Sequence, residues 1–212
     1  MLSLVVTYYN QPSMLAEQAR IWGTYKANPE IIVVDDGSAV PATAQPRSCG
    51  YRVIHDTPWH QDGARNLGAH VATGEWLLFL DIDHTICAEE LGRLFDMLPK
   101  LGANRAFRPA RRLVDRAYPL KRAANIWLIR RADFWRIGGY DERICGHYGT
   151  DQEFIPRLRR TLAVTDLAVT LDVYRRANIA DAATAGLDRS VVTPPKLSGP
   201  PKALDFEWSR AW

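Results

Sequence analysis

The chain has 212 residues, of which 47% are apolar and 24% charged, an ordinary composition for one soluble globular domain. No apolar run approaches the roughly 20 residues that a membrane-spanning helix needs, so no transmembrane segment is predicted. Cys49, Cys87 and Cys145 lie far apart without a CxxC pair. This spacing predicts reduced thiols in a cytoplasmic protein and argues against a zinc site.

The net charge of +3 is unevenly distributed along the chain. Residues 1–100 carry 7 Lys and Arg against 12 Asp and Glu, a net of −5, whereas residues 101–212 carry 20 against 12, a net of +8. Most of the basic excess lies between residues 104 and 131. Such a stretch is either a solvated face or a surface for a polyanionic partner, and both interpretations stay open at this point.

The first hundred residues alternate predicted strands and helices, which indicates a mainly parallel sheet with crossover helices. The predicted strands are 2–8, 30–34, 51–55 and 76–80, and the predicted helices are 13–26, 62–73 and 89–98. The second half mixes extended segments (105–116, 125–129, 163–174) with helices (132–137, 151–162). From residue 177 onward the chain is rich in Ala, Pro and Ser, which predicts an extended tail over 181–212.

The strand predicted at 76–80 is followed directly by Asp81-Ile82-Asp83. A continuous apolar run is typical of a strand covered on both faces, and ligands in open α/β sheets lie just beyond the carboxyl ends of such strands. Carboxylate oxygens suit hard divalent cations that also bridge to phosphates. The sequence therefore predicts a metal–phosphate ligand at this strand end.

Five short segments follow one another in a fixed order. They are 5–10 (VVTYYN), 32–38 (IVVDDGS), 63–69 (GARNLGA) with 73–75 (TGE), 81–83 (DID), and 138–142 (GGYDE) with 149–154 (GTDQEF). Together they resemble motifs of the GT-A fold glycosyltransferases, and within these the inverting glycosyltransferase family 2. The resemblance covers about residues 1–160.

This resemblance implies an α/β fold of the GT-A, Rossmann-like type: one domain over 1–180 with a central, mainly parallel mixed sheet flanked by helices. Residues 1–100 would form the nucleotide-sugar-binding half and 101–180 the acceptor half. The implied function is a metal-dependent, inverting transfer of a sugar from a nucleotide-diphospho-sugar, expected to be a UDP-sugar, to a hydroxyl acceptor. The implied donor-binding residues are Thr7, Tyr9, Asp35, Asp36, Arg65 and Asp81.

The implied cofactor is Mn²⁺ or Mg²⁺, bound by Asp83 and Asp81, with His147 as a possible third ligand. Asp35 and Asp36 precede Gly37-Ser38, so an Asx-turn is an alternative role that is compatible with donor binding. The family often has an acidic pair before the acceptor-side helix, but here the first position is Thr150.

This departure makes Asp151 the first candidate for the general base and Glu153 the second. A helix N-cap is the alternative role for Asp151. The acceptor is expected to be a glycan or a polyanion, and a hydroxymethylated DNA base is compatible with the basic stretch. Arg108, Arg111 and Arg112 are the candidate acceptor contacts. The sequence predicts neither the donor sugar nor the oligomeric state.

Two other functions compete with this hypothesis. Asp81-Ile82-Asp83-His84-Thr85 also resembles the nucleophile motif of haloacid-dehalogenase-like phosphatases, in which the first Asp attacks phosphorus. That motif normally lies on the first strand of its fold, whereas three predicted strands precede it here. The third hypothesis is a non-catalytic module that binds a nucleotide-sugar or nucleic acid.

Overall fold

The computed structural model describes residues 1–54, 60–115, 118–147, 149–174 and 197–212. Within these ranges ten strands form one sheet that five α-helices flank. The strands are β1 (Leu2–Tyr8), β2 (Glu30–Asp35), β3 (Cys49–Ile54), β4 (Trp76–Asp81), β5 (His84–Thr85), β6 (Arg105–Leu113), β7 (Pro119–Leu120), β8 (Leu128–Arg130), β9 (Ala163–Val173) and β10 (Glu207–Arg210). The helices are α1 (Pro12–Trp22), α2 (Gln61–Val71), α3 (Ala88–Met97), α4 (Arg131–Arg136) and α5 (Asp151–Thr161).

The sheet has a parallel half and a mixed half that meet at β4. Its strand order is β10-β3-β2-β1-β4-β8-β6-β9-β5, with β7 paired to β6. The four strands from β3 to β4 are parallel, β8 runs antiparallel to both β4 and β6, and β9 is parallel to β6. In this register Thr7 lies opposite Asp81 and Tyr8 lies opposite Asp35. The predicted acidic pairs therefore lie close together at the carboxyl ends of the parallel strands. The mixed sheet with helices on both faces confirms the predicted α/β fold.

The sequences of the central strands are continuous apolar runs because helices cover both faces of the sheet. Val6 and Leu80 belong to the core cluster that includes residues of α1 and α3. Val5 and Phe79 belong to the cluster on the opposite face, which includes residues of α2, α4 and α5. Each fully buried side chain of this size contributes about 1.5–3 kcal/mol of transfer free energy. The two clusters thus hold β1 and β4 from both sides.

The described part of the predicted tail, residues 197–212, lies against the core. β10 pairs antiparallel with β3, and the Phe206 ring centre lies 4.8 Å from that of His60. The Trp212 ring covers Gly50, where an added Cβ would lie 2.4 Å from ring atoms. Residues 181–196 of the predicted tail fall outside the described ranges. The domain boundaries stay a prediction.

Within the described ranges, no helix combines the length and the apolar character that crossing a bilayer requires. The three cysteines are free thiols with intermediate burial.

Candidate active site

Asp81, the last residue of β4, is the most heavily hydrogen-bonded carboxylate of the site. Its Oδ1 accepts hydrogen bonds from Arg65 Nη2 at 2.9 Å, from Gln61 Nε2 at 3.1 Å and from Thr7 Oγ1 at 3.4 Å. Its Oδ2 accepts one from Asn125 Nδ2 at 2.6 Å. Burial acts to raise the pKa of Asp81, but the charge of Arg65 and the hydrogen bonds from Arg65 and Asn125 outweigh it and lower the pKa. The carboxylate is therefore ionised and fixed in orientation.

Asp83 follows two residues later, and its side chain is one-third exposed. Among the described residues, Asp81, Asp83 and His84 each offer a ligand atom within 4.8 Å of the others. Two carboxylates suit the oxygen preference of Mn²⁺ and Mg²⁺, so the donor set fits the predicted cofactor. His147, the possible third ligand, lies outside this group, and its Nδ1 is 3.1 Å from the Ile144 carbonyl oxygen. Its role as a ligand stays a prediction.

Arg65, predicted to contact the donor, lies in α2 and is only 2% exposed. Its guanidinium donates to Asp81 and to Asp62 Oδ1 at 3.4 Å, and its carbon lies 5.3 Å from the centre of the Tyr140 ring. Burial raises the pKa of Asp62 to about 7, although the charge of Arg65 acts in the opposite direction. Arg65 thus orients the Asp81 carboxylate, and a direct donor contact stays a prediction.

The acidic pair at the end of β2 is bound by backbone amides. Asp35 accepts hydrogen bonds from the N–H groups of Ser38 and Ala42, both at 2.8 Å. Both carboxylate oxygens of Asp36 accept from the His60 N–H, at 2.9 and 3.0 Å. The bond to Ser38 is of the local turn type that the sequence left open for Asp35. Donor binding by Asp35, Asp36 and the half-buried Tyr9 stays a prediction.

Asp151 and Glu153 lie in the first turn of α5 but in different environments. Thr150 occupies the N-cap position, and Asp151 Oδ1 is buried without a hydrogen-bond partner among the described residues. Burial raises the pKa of Asp151, with Arg65 lowering it and Asp81 raising it further. Glu153 instead accepts two hydrogen bonds from Arg157, both at 2.5 Å. Both oxygens of the Glu153 carboxylate are thus occupied by the Arg157 guanidinium, so the geometry leaves Asp151 as the more available carboxylate.

Asn66 supports the site through Tyr140, although no sequence pattern marks this role. Its Oδ1 accepts from the Tyr140 N–H at 2.9 Å, and its Nδ2 donates to the Tyr140 carbonyl at 2.9 Å and to Glu142 Oε1 at 2.7 Å. Gly139, at φ +64°, leaves room for this contact, since a Cβ there would lie 2.7 Å from Asn66 Oδ1. The bonds fix Tyr140, whose ring stacks on Phe154 at 4.1 Å. The sequence shows the Gly-Gly turn before Tyr140, but it does not show the partner of Tyr140, because Asn66 lies 74 residues away in the chain.

The three predicted acceptor arginines have partners within the protein. Arg108 donates to Asp166 at 3.1 Å and Arg112 to Asp172 at 2.6 Å, each across from β6 to β9. Arg111 donates to the Lys121 carbonyl and lies 3.0 Å from His84 Nε2. These contacts offset part of the positive charge that the sequence places here. Acceptor binding by these arginines stays a prediction.

A mixed α/β sheet with an Asp-x-Asp pair at the carboxyl end of its central strand defines the GT-A class of glycosyltransferase folds. The chain belongs to glycosyl transferase family 2, whose sequence profile matches residues 3–162. The family assignment confirms the resemblance seen in the sequence and favours it over the resemblance to the phosphatases. A search of curated proteins found no significant match.

Solved structures with the same fold include TarS from S. aureus. TarS 1–349 is 15% identical, with a TM-score of 0.65 over 81% of this chain and 60% of that chain. TarS 1–349 in complex with UDP-GlcNAc is 15% identical, with a TM-score of 0.63 over 82% and 58%. TarS 1–349 in complex with UDP is 17% identical, with a TM-score of 0.63 over 81% and 60%. The chain thus spans about 60% of these TarS chains, and identities this low show the fold alone.

Proposed function

We propose that the protein is a metal-dependent, inverting glycosyltransferase that moves a sugar from a UDP-sugar to a hydroxyl acceptor. The observation that carries this proposal is the pair Asp81 and Asp83 at the end of β4, beside the end of β1. Asp151, one oxygen of which has no hydrogen-bond partner within the described ranges, interacts electrostatically with Arg65 and Asp81 of the same site. The UDP-GlcNAc and UDP bound to TarS support a uridine-linked donor.

Asp83 and Asp81 would hold Mn²⁺ or Mg²⁺ through their carboxylate oxygens. When bound, the ion would offset the charge of the diphosphate and stabilise it as a leaving group. Arg65, Gln61 and Asn125 hold the Asp81 carboxylate in one orientation. Thr7, Tyr9, Asp35 and Asp36 lie at the ends of the neighbouring strands, where the nucleoside of the donor would bind.

Asp151 would accept the proton of the acceptor hydroxyl as the hydroxyl oxygen attacks the sugar carbon. A single displacement from the face opposite the diphosphate inverts the configuration at that carbon. The raised pKa of Asp151 suits this role, because a general base works best when its pKa approaches the working pH. Glu153, already paired with Arg157, is the second candidate.

The ion pairs that the basic stretch forms within the protein favour a glycan as the acceptor. A polyanion such as DNA with a hydroxymethylated base would need cationic side chains available for phosphates. Arg108 and Arg112 instead pair with Asp166 and Asp172. DNA is therefore the second acceptor candidate. The cytoplasmic location, which the spacing of the cysteines predicted, stays a prediction.

A panel of nucleotide-sugars with a nucleoside-diphosphate readout tests the proposal. We expect Mn²⁺-dependent release of UDP from one UDP-sugar, stimulated by a glycan acceptor and abolished by a chelator. Asp83→Ala should abolish this release, whereas Asp96→Ala, at an exposed carboxylate of α3, should not. Full release by Asp83→Ala in chelator would contradict the metal role. Stimulation by hydroxymethylated DNA rather than by glycans would reverse the choice of acceptor.

A further inference from the structure

His84 lies immediately after the Asp-x-Asp pair and is almost completely buried, with 6% of its side chain exposed. Its backbone belongs to β5 and pairs with Val173 of β9. Gln18 of α1, itself 1% exposed, donates to the His84 carbonyl at 2.6 Å and to the Ile82 carbonyl at 2.9 Å. The Tyr174 N–H donates to the Asp83 carbonyl at 2.9 Å. The main chain from 82 to 84 is thus held from both sides.

Both ring nitrogens of His84 have a close polar neighbour. Nε2 lies 3.0 Å from Nη1 of Arg111, and Nδ1 lies 2.6 Å from Oδ1 of Asp83. An arginine guanidinium has hydrogen-bond donors but no acceptor. Nε2 must therefore be the acceptor in this contact and carry no proton. The proton of the neutral ring then lies on Nδ1, from which it is donated to Asp83.

The position of Arg111 is fixed independently of His84. Its Nε donates to the Lys121 carbonyl oxygen at 2.8 Å, and Nη2 donates to the same oxygen. Residues 111 and 120 are paired across the β6–β7 hairpin. The guanidinium is therefore held by the hairpin while it points at His84. This arrangement connects the acceptor half of the domain to the end of the Asp-x-Asp turn.

We propose that His84 is a positioning residue for the metal site: held by Arg111 as the Nδ1–H tautomer, it fixes the carboxylate of Asp83 without binding the metal itself. The proximity of His84 to Asp81 and Asp83 would also allow a third metal ligand. The contacts favour the positioning role, because neither ring nitrogen presents a free lone pair while Arg111 and Asp83 are in place. Metal-bound carboxylates commonly have such a hydrogen-bonded partner outside the ligand set.

This inference rests on the proposed metal-dependent function, but its first test needs no metal. Two-bond proton–nitrogen correlation spectra of the ¹⁵N-labelled full chain distinguish the two neutral tautomers of each of the five histidines. The His84 signals are the set that disappears in His84→Gln. We expect the Nδ1–H pattern, unchanged by Mg²⁺ with UDP. An Nε2–H pattern, or a His84 nitrogen that shifts on Mg²⁺ addition as coordination requires, would overturn the proposal.

Two substitutions at the same position separate positioning from ligation. The amide nitrogen of Asn takes the place of the imidazole Nδ1, whereas the longer Gln places its amide near Nε2. His84→Asn should therefore keep the hydrogen bond to Asp83 and bind Mn²⁺, titrated in the presence of UDP, about as tightly as the parent. His84→Gln should bind Mn²⁺ about 10–100-fold more weakly, the usual effect of losing such a partner. Equal losses in both variants would contradict the positioning role.

Arg111 and Arg112 provide a matched pair on the same strand. Arg111→Gln should weaken Mn²⁺ binding and give a mixture of His84 tautomers, whereas Arg112→Gln, which loses only the ion pair to Asp172, should change neither. A parent protein that binds no Mn²⁺ with UDP would refute the metal part of the proposed function. The tautomer spectrum would then still show whether the His84 Nδ1–H group donates to Asp83.

Discussion

At the scale of single residues, Asp151 has one buried carboxylate oxygen with no hydrogen-bond partner among the described residues, a feature that it shares with Asp62 in the same site. Asp151→Asn preserves the size of the side chain but removes its basicity. We expect the transfer rate to fall by roughly two to four orders of magnitude, the usual range for loss of a general base. The affinity for UDP, measured by calorimetry, should stay close to that of the parent.

The exposed Gln152 in the same turn offers a control for this substitution. Gln152→Ala should transfer at nearly the parent rate. If Asp151→Asn retains most of the activity, the base is another residue, and Glu153→Gln becomes the variant to measure. Loss of activity in Glu153→Gln alone would mean that its pairing with Arg157 is broken during turnover.

The pH dependence of transfer follows from the environment of Asp151. Burial raises its pKa, with opposing effects from Arg65 and Asp81, so the carboxyl is protonated at a higher pH than the ordinary value of 3.8. A general base must be deprotonated, and lowering the pH therefore removes activity. We expect the acid limb of kcat/KM against pH to have its midpoint above 3.8. A midpoint at or below that value would contradict the assignment of Asp151.

The site residues that could be predicted from the sequence are those whose chemistry is local. Asp81 and Asp83 follow an apolar run, and their spacing is recognisable in the sequence without knowledge of the fold. Asn125 and Asn66 could not be found in this way, because their partners lie 44 and 74 residues distant and depend on packing. Arg111 was predicted to contact the acceptor because its charge is visible in sequence, whereas its contact with His84 is not.

At the scale of elements, β1, β2 and β4 were predictable because continuous apolar runs mark strands that are buried on both faces. β10 was not predicted, because all four of its residues are exposed and no apolar pattern marks it. Its backbone pairing with β3 and the packing of Trp212 on Gly50 hold it in place. The two residues of β5 are too few to show a period.

The contact between Gly50 and Trp212 tests how much β10 contributes to stability. Gly50→Ala places a methyl group where ring atoms of Trp212 lie 2.4 Å away, so the ring must move. We expect the free energy of unfolding to fall by about 1–3 kcal/mol, the usual cost of overpacking. Urea denaturation followed by tryptophan fluorescence measures this change.

Gly92 in α3 provides a control of opposite sign, because apart from its chain neighbours and the backbone of its own helix no described atom lies within 4 Å of a Cβ added there. Gly92→Ala should raise the free energy of unfolding by about 0.5–1 kcal/mol, since alanine is the better helix former. A destabilised Gly92→Ala, or an unchanged Gly50→Ala, would mean that these packing contacts do not govern stability.

At the scale of the whole molecule, Asn66 joins the two halves of the domain, since α2 belongs to the first half and Tyr140 to the second. Asn66→Ala leaves the buried N–H and carbonyl groups of Tyr140 without this partner. We expect the free energy of unfolding to fall by about 1–3 kcal/mol, the usual cost of unsatisfied buried polar groups. Thermal and urea unfolding should both show the loss, and an unchanged transition would show that other groups take over these hydrogen bonds.

The position of β4 between the parallel and mixed halves of the sheet also has a consequence for amide hydrogen exchange. β4 has a hydrogen-bonded neighbour on each side, β1 and β8, and its side chains enter both core clusters. Its amides should exchange only through global opening, whereas those of the exposed edge strand β10 should exchange through local fraying. Asp81 ends this strand, so the geometry of the proposed metal site should persist while the edge of the sheet opens and closes.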